Sequence, residues 1–203
     1  MELLIVRHGE TIWNAKGLLQ GQTDIELNEN GIAAAKKLGD ELKDLKIDRF
    51  FASPLKRAYE TARLIKGTRT LDIETDSRLK EISFGKAEGV DYHDWKEPGN
   101  KYYPFFEDTA NYIPPEDGET FDDIIKRTTE FIKERIEPLH KTCERVLLVA
   151  HGALNKGMMC YLENHGPEKF WGDGLQMNCQ AVVFDYDGKN WTLKSKRDGG
   201  RDE

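Results

Sequence analysis

Two apolar runs, 3–6 and 146–150, stop at the same signal: a histidine followed by a glycine. The first is Leu3-Leu4-Ile5-Val6 before Arg7-His8-Gly9, and the second is Val146-Leu147-Leu148-Val149-Ala150 before His151-Gly152. Runs without alternation fit strands covered on both faces, as in the middle of a parallel sheet. Residues just beyond them would sit at the carboxyl edge of the sheet, where the loops of open α/β folds diverge and ligands bind. Either histidine alone could be an ordinary turn residue. Its repetition, each time beside a glycine that permits close backbone approach, points to a site.

Between and after these strands the pattern predicts further elements. Residues 10–23, rich in glycine and side-chain amides, read as a loop able to wrap a ligand. Asn28 caps a helix to about residue 45, with Ile32, Ala35, Leu38, Leu42 and Leu45 near helical spacing. A short strand is expected over 49–52. Ser53 and Pro54 then supply an N-cap and first-turn proline for a helix, with Arg57 one turn inside it. An arginine there adds to the positive field of a helix N-terminus. A third strand is placed at 71–74, and Glu81 follows in a loop between Leu79 and Ile82, partly buried.

Residues 91–119 hold Trp95, Tyr102, Tyr103, Phe105, Phe106 and Tyr112 without clear periodicity, and read as a lid inserted in the domain. Their rings are either a substrate wall or a cover for the core. A long amphipathic helix is expected over 119–140, closed by Pro138, then helices over 153–163 and about 168–171. Strands at 179–186 and 191–194 form a closing hairpin. The charged tail from Lys196 onward is expected to fray.

The 203 residues fit one domain with an insertion. A net charge of −7 and a pI near 5.4 argue against a nucleic-acid or anionic-membrane partner. No apolar stretch approaches spanning length and no signal peptide is recognisable, so a cytoplasmic protein is expected. Cys143, Cys160 and Cys179 lack metal-type spacing, fit reduced thiols and receive no role. Oligomeric state is not legible.

The candidate chemistry is therefore two histidines at strand ends, Arg7, Arg57, Asn14, the Gln20-Gly21 turn, Gly152 and one acid, Glu81. Arginine forks match phosphate geometry, so this set favours a phosphoryl group. So much positive charge disfavours a metal, and no HExxH-type spacing appears, so neither metal nor cofactor is expected.

Arg7-His8-Gly9-Glu10-Thr11, Ser53-Pro54-Leu55-Lys56-Arg57-Ala58 and His151-Gly152 together resemble the histidine phosphatase superfamily, in its phosphoglycerate-mutase-like branch. The resemblance covers nearly the whole chain. It implies a three-layer α/β/α sandwich with a mostly parallel sheet and a phosphohistidine mechanism acting on a small-molecule phosphate ester. Carried onto this chain, it makes His8 the nucleophile, sets Arg7, Arg57 and His151 on the equatorial oxygens, and makes Glu81 the proton donor and later acceptor. Asn14, Gln20, Gly21 and Gly152 match the additional phosphate contacts. His8 would need its second ring nitrogen bonded to a backbone carbonyl to fix its tautomer.

Departures from the mutases favour hydrolysis. No arginine occurs between Lys86 and Thr120, where the mutases carry a pair, leaving Lys96 or Lys101 for a second anionic group. Phe84 replaces their tyrosine, and Ala153 their asparagine. Residues 81–89 and 118–120 instead resemble the broad-specificity and alpha-ribazole-type phosphatases. The alternatives are a mutase and, less favoured, a protein that binds a phosphorylated ligand without turnover.

Overall fold

The computed structural model describes residues 1–197. Strands β1 (Glu2–Arg7), β2 (Arg49–Ala52), β3 (Ile73–Thr75), β4 (Arg145–Ala150), β5 (Ala181–Tyr186) and β6 (Trp191–Arg197) form one sheet in the order β3-β2-β4-β1-β5-β6. The β3-β2, β2-β4 and β4-β1 pairs are parallel; the closing hairpin is antiparallel.

The unbroken apolar runs have a direct cause. Leu3 and Ile5 of β1, with Val146 and Leu148 of β4, enter one core; Leu4 and Val6, with Leu147 and Val149, enter the other. Successive side chains of a strand point to opposite faces, so a strand covered twice has no solvent positions. One face is covered by α2 (Glu29–Glu41) and α3 (Lys56–Lys66), the other by α5 (Phe121–Phe131) and α6 (Gly152–Leu162). The result is the three-layer α/β/α sandwich with a mixed, mostly parallel sheet.

Several elements differ from expectation. The loop 10–23 contains a single helical turn, α1 (Ile12–Ala15), closed by a capping box between Thr11 and Asn14. Helix α3 begins at Lys56, with Leu55 at the N-cap and no side-chain cap, so Arg57 is its second residue. Ser53 is used elsewhere, as described below. Strand β3 lies two residues beyond the expected start, because Leu71 and Ile73 both pack on the core and periodicity alone does not choose between them. Thr120 caps α5 with Asp123, and the helix opens into a π turn (Ile132–Ile136) and a 3-10 turn (Glu137–Lys141). Pro138 has no N–H to donate four residues back, which ends the regular ladder. Only a 3-10 turn, Pro167–Lys169, stands where a short helix was expected at 168–171. Lys196 belongs to β6 rather than to a frayed tail; the rest of that expectation, 198–203, lies outside the described residues.

Residues 91–119 fold into α4 (Pro104–Glu107) and short 3-10 turns, and their rings divide between the core and the wall of a cleft. Trp95, Phe105 and Tyr112 are buried in the core. Phe105 is the hub, with ring centroids of Phe84, Trp95, Tyr112, Phe121 and Trp171 at 5.1 to 5.7 Å. No helix among the described residues is long and apolar enough to cross a membrane. Burial pushes the thiols of Cys160 and Cys179 up to about 12, which makes them poor nucleophiles.

Candidate active site

Parallel pairing of β1 with β4 sets Arg7 opposite Ala150, so the next residue of each strand is a histidine. The rings of His8 and His151 lie 5.2 Å apart, tilted by 59°. His8 is only 2% exposed, and His151 is wholly buried. His8 Nδ1 lies 2.7 Å from Gly9 O. A carbonyl only accepts, so Nδ1 carries the proton and Nε2 keeps its lone pair. Gly9 is required there: its N–H donates to Thr61 Oγ1 at 2.9 Å, and a Cβ would come within 2.6 Å of Gly31 O. Asn178 Nδ2 donates to His8 O at 2.8 Å, fixing the same turn from its other side.

His151 Nε2 is 2.8 Å from Ser53 Oγ, which also accepts the Leu55 N–H at 3.3 Å. With the Ser53 hydroxyl donating to Nε2, the His151 N–H lies at Nδ1, which is buried without a partner among the described residues. Burial pushes His8 well below the usual imidazole range, reinforced by Arg57 and Arg7; burial, then Arg57 and His8, does the same for His151. Both rings are neutral at neutral pH.

The two arginines are tethered at one end and open at the other. Arg57, fully buried, donates from Nη1 to Thr23 O at 2.8 Å and from Nη2 to Gly21 O at 2.7 Å. Burial lowers it to about 10, with Glu81 the strongest opposing influence, so it stays cationic. Arg7 donates from Nη1 to Gln176 O at 2.7 Å. Arg7 Nε, Arg57 Nε and His151 Nδ1 are all buried donors without an acceptor. Buried polar groups are ordinarily paired. Three orphaned donors belonging to residues around one neutral imidazole suit a ligand made almost entirely of acceptors.

Glu81 is held by the first turn of α6. Its Oε1 accepts from Leu154 N at 2.8 Å and Ile82 N at 2.9 Å, and its Oε2 from Ala153 N at 3.2 Å. These donors compensate the burial of the carboxylate. Its backbone is fixed by Arg127, which donates to the carbonyls of Arg78, Lys80 and Glu81 and forks onto Glu119.

A cleft of about 530 Å³ gathers eight of the nine sequence candidates: Arg7, His8, Asn14, Gln20, Gly21, Arg57, Glu81 and Gly152. His151, the ninth, is not on the cleft wall and is in ring contact with His8. The Thr11 hydroxyl lies 3.1 Å from Asn14 Oδ1 and 3.0 Å from Gln20 Oε1, and its single proton serves one of the two. The opposite wall is Tyr92, Phe105, Phe106 and Trp171, with two charged groups, Lys96 and Glu107. Lys96 Nζ stands 5.0 Å above the Tyr92 ring and 5.1 Å above that of Phe106. No group of three or more His, Cys, Asp or Glu able to hold a metal occurs among the described residues.

Sequence reasoning missed the supports. Ser53, Thr61, Gln176 and Asn178 each hold a site residue by one hydrogen bond, and no pattern marks such a residue. Glu88 had a signal, the Glu88-Gly89 pair, without its meaning. Its carboxylate clamps the Gln22 and Thr23 N–H groups, at 2.8 Å each.

Two arginines, two neutral imidazoles and a glutamate thus meet at one sheet edge, and the chain belongs to the histidine phosphatase superfamily (branch 1), which it matches over residues 3–199. It is 37% identical to a metal-independent phosphoserine phosphatase of Arabidopsis thaliana, over 97% of this chain and 81% of the relative. It is 34% identical to a 2,3-bisphosphoglycerate-dependent phosphoglycerate mutase of Cytophaga hutchinsonii, over 82% of this chain and 79% of that one. The crystal structure of the alpha-ribazole phosphatase from Shigella flexneri superposes with a TM-score of 0.85 at 29% identity, covering 100% of both chains. The protein is a phosphatase of the histidine phosphatase type.

Proposed function

We propose that the protein is a metal-independent phosphomonoesterase that hydrolyses a small phosphorylated metabolite through a phosphohistidine at His8. The observation that carries this reading is the His8 imidazole: neutral, with Nδ1 tied to Gly9 O at 2.7 Å, and flanked by two guanidinium groups with free buried donors. His8 Nε2 attacks phosphorus in line. The oxygens of the transferring group are held by Arg7, Arg57, His151 Nδ1–H and the amides of Asn14 and Gln20, with Gly21 and Gly152 allowing close approach. Preorganised donors of this kind supply the charge stabilisation that phosphoryl transfer needs. As the ester P–O bond breaks, Glu81 gives a proton to the leaving oxygen. In the second half it takes a proton from water as that water attacks phosphorus and frees His8.

Hydrolysis is favoured over mutase action by the wall opposite His8. A mutase must hold a second anionic group there while the phosphoryl group returns, and 91–119 brings one cation, Lys96, and one carboxylate, Glu107, to the cleft. Aromatic rings fill the remainder.

The test is phosphate release, with a chelator present, from an aryl phosphate, O-phosphoserine, 3-phosphoglycerate and ribazole 5′-phosphate, alongside acid-quench trapping of labelled enzyme. Release despite the chelator and a label lost in His8→Ala are expected. Glu81→Gln should slow alkyl esters by roughly 10²- to 10⁴-fold and aryl esters much less. Phosphoglycerate interconversion faster than phosphate release would overturn the reading in favour of a mutase, and tight phosphate binding without label or release in favour of a binding protein.

A further inference from the structure

A second cavity, of about 340 Å³, shares only Gly174 and Leu175 with the catalytic cleft. Lys156, the fifth residue of α6, lines it. Nearly all of that helix is buried, and Lys156 itself is only 9% exposed. Its ammonium makes no hydrogen bond or ion pair among the described residues. The loop passes close by: a Cβ on Gly172 would lie 3.9 Å from Lys156 Nζ. The stem of Lys156 is packed away while its ammonium opens into the cavity without a contacting carboxylate, the arrangement expected where an anion enters from outside.

The other charges of the cavity do not serve it. Glu163 accepts from His165 Nε2 at 3.3 Å, and Asp173 is paired with Lys196. Lys169 adds a further cation at the wall. Burial lowers the pKa of Lys156, assisted by Lys196, while Glu163 and Asp173 oppose the shift from a distance. The rest of the lining is mostly apolar, with Met159, Phe170, Leu175, Met177 and Val182 beside Gln176 and Gln180. Two carboxylates on the wall repel a dianion. A single ammonium has no fork for phosphate either, but matches one carboxylate.

We propose that this cavity is a second ligand site, which takes a small monocarboxylate with an apolar body and pairs its carboxylate with Lys156 Nζ. Lys156 is none of the groups placed on the phosphate, so the proposal stands or falls separately from the catalytic reading.

The test uses the full chain with ¹³C-methyl methionine, its catalytic cleft filled with vanadate, titrated with benzoate, hexanoate and inorganic phosphate. Met159 and Met177 line the cavity, while Met1 and Met158 do not, and serve as internal controls. Saturable shifts confined to Met159 and Met177 are expected with the carboxylates and not with phosphate. Lys156→Leu should weaken binding at least tenfold, and Lys156→Arg should retain it. Should Lys156→Leu fail to fold, the exposed double variant Glu163→Gln/Asp173→Asn keeps the question open: removing the repulsion should tighten benzoate binding severalfold. No saturable shift with either carboxylate, undiminished affinity in Lys156→Leu, or no tightening in the double variant would overturn the proposal.

Discussion

Removing the Glu88 carboxylate should loosen the phosphate cradle without touching any group that meets the phosphate. Its Oε1 accepts from Gln22 N at 2.8 Å and Phe84 N at 3.3 Å, and its Oε2 from Thr23 N at 2.8 Å and from the Thr23 hydroxyl. Gly21 has φ +51°, and a Cβ there would overlap Glu88 Oε1, so the turn is moulded on this side chain. Arg57 grips Gly21 O and Thr23 O from the opposite side. Glu88→Ala therefore strands the Gln22 and Phe84 N–H groups, leaves Thr23 N with Gln20 O at 3.1 Å, and leaves the turn held chiefly by Arg57. A hydrogen bond to a charged group contributes about 1.5–3 kcal/mol. Water reaches this half-buried site and replaces part of each bond, so the expected net loss is roughly 2–4 kcal/mol. For a chain of this length that lowers Tm by about 4–16 °C. Gln20 and Gly21 line the cleft, so kcat/KM should also fall, by about tenfold or more, since a misplacement near 1 Å can cost about 10². Differential scanning calorimetry and initial rates on an aryl phosphate measure both. A Tm within about 1 °C of wild type, with unchanged kcat/KM, would refute the reasoning.

Two further outcomes follow from burial and packing. His8 and His151 have folded-state pKa values well below the ordinary imidazole value near 6.5 because they are buried neutral. Below that value the unfolded chain binds more protons than the folded one, so the histidine contribution is fully present above about pH 6.5 and is lost as pH falls towards the folded values. Urea midpoints should drop from pH 7 to pH 5, by up to about 1.4 kcal/mol per pH unit for each histidine, and a midpoint that rises on acidification would contradict their neutral burial. In Gly157→Ala, the new Cβ would overlap Ile124 Cγ2, where α6 meets α5. Overpacking costs about 1–3 kcal/mol against about 1 kcal/mol gained in helix propensity, so a thermal melt should show a net loss, and a gain would show that the two helices can move apart freely.

The sheet was legible because a strand buried on both faces leaves a continuous apolar run, and β1, β2 and β4 all do so. The candidate residues at the ends of those runs were legible for the same reason: parallel pairing in register carries neighbouring strand ends to one place. The start of α3 was misread because Ser53-Pro54 has the composition of a helix cap, while the serine hydroxyl in fact faces His151 across 98 residues of sequence. A partner at that distance leaves no local trace. The aromatic segment resisted reading because its rings serve core and cleft together: Phe105 lies at the centre of the ring cluster and also lines the cleft. Periodicity distinguishes faces of regular elements, and this segment has almost none.

The way that segment is fastened has a consequence for how such an enzyme can diversify. At its start, Asp91 bridges to Leu18 and the Leu19 N–H reaches Val90 O at 2.9 Å; at its end, Gly118 bridges to Phe84 and the Glu119 N–H reaches Ser83 O at 2.9 Å. Both ends are thus stitched to the two loops that present Gln20 and Glu81, while Arg127 anchors the Glu81 loop from α5 independently of everything between the stitches. The segment's exposed positions can change without pulling on the Glu81 loop, whereas Trp95, Phe105 and Tyr112 are held by the core. On the proposed function, recognition of the organic part of the ester would drift under mutation at those exposed positions while the chemistry at phosphorus stays the same.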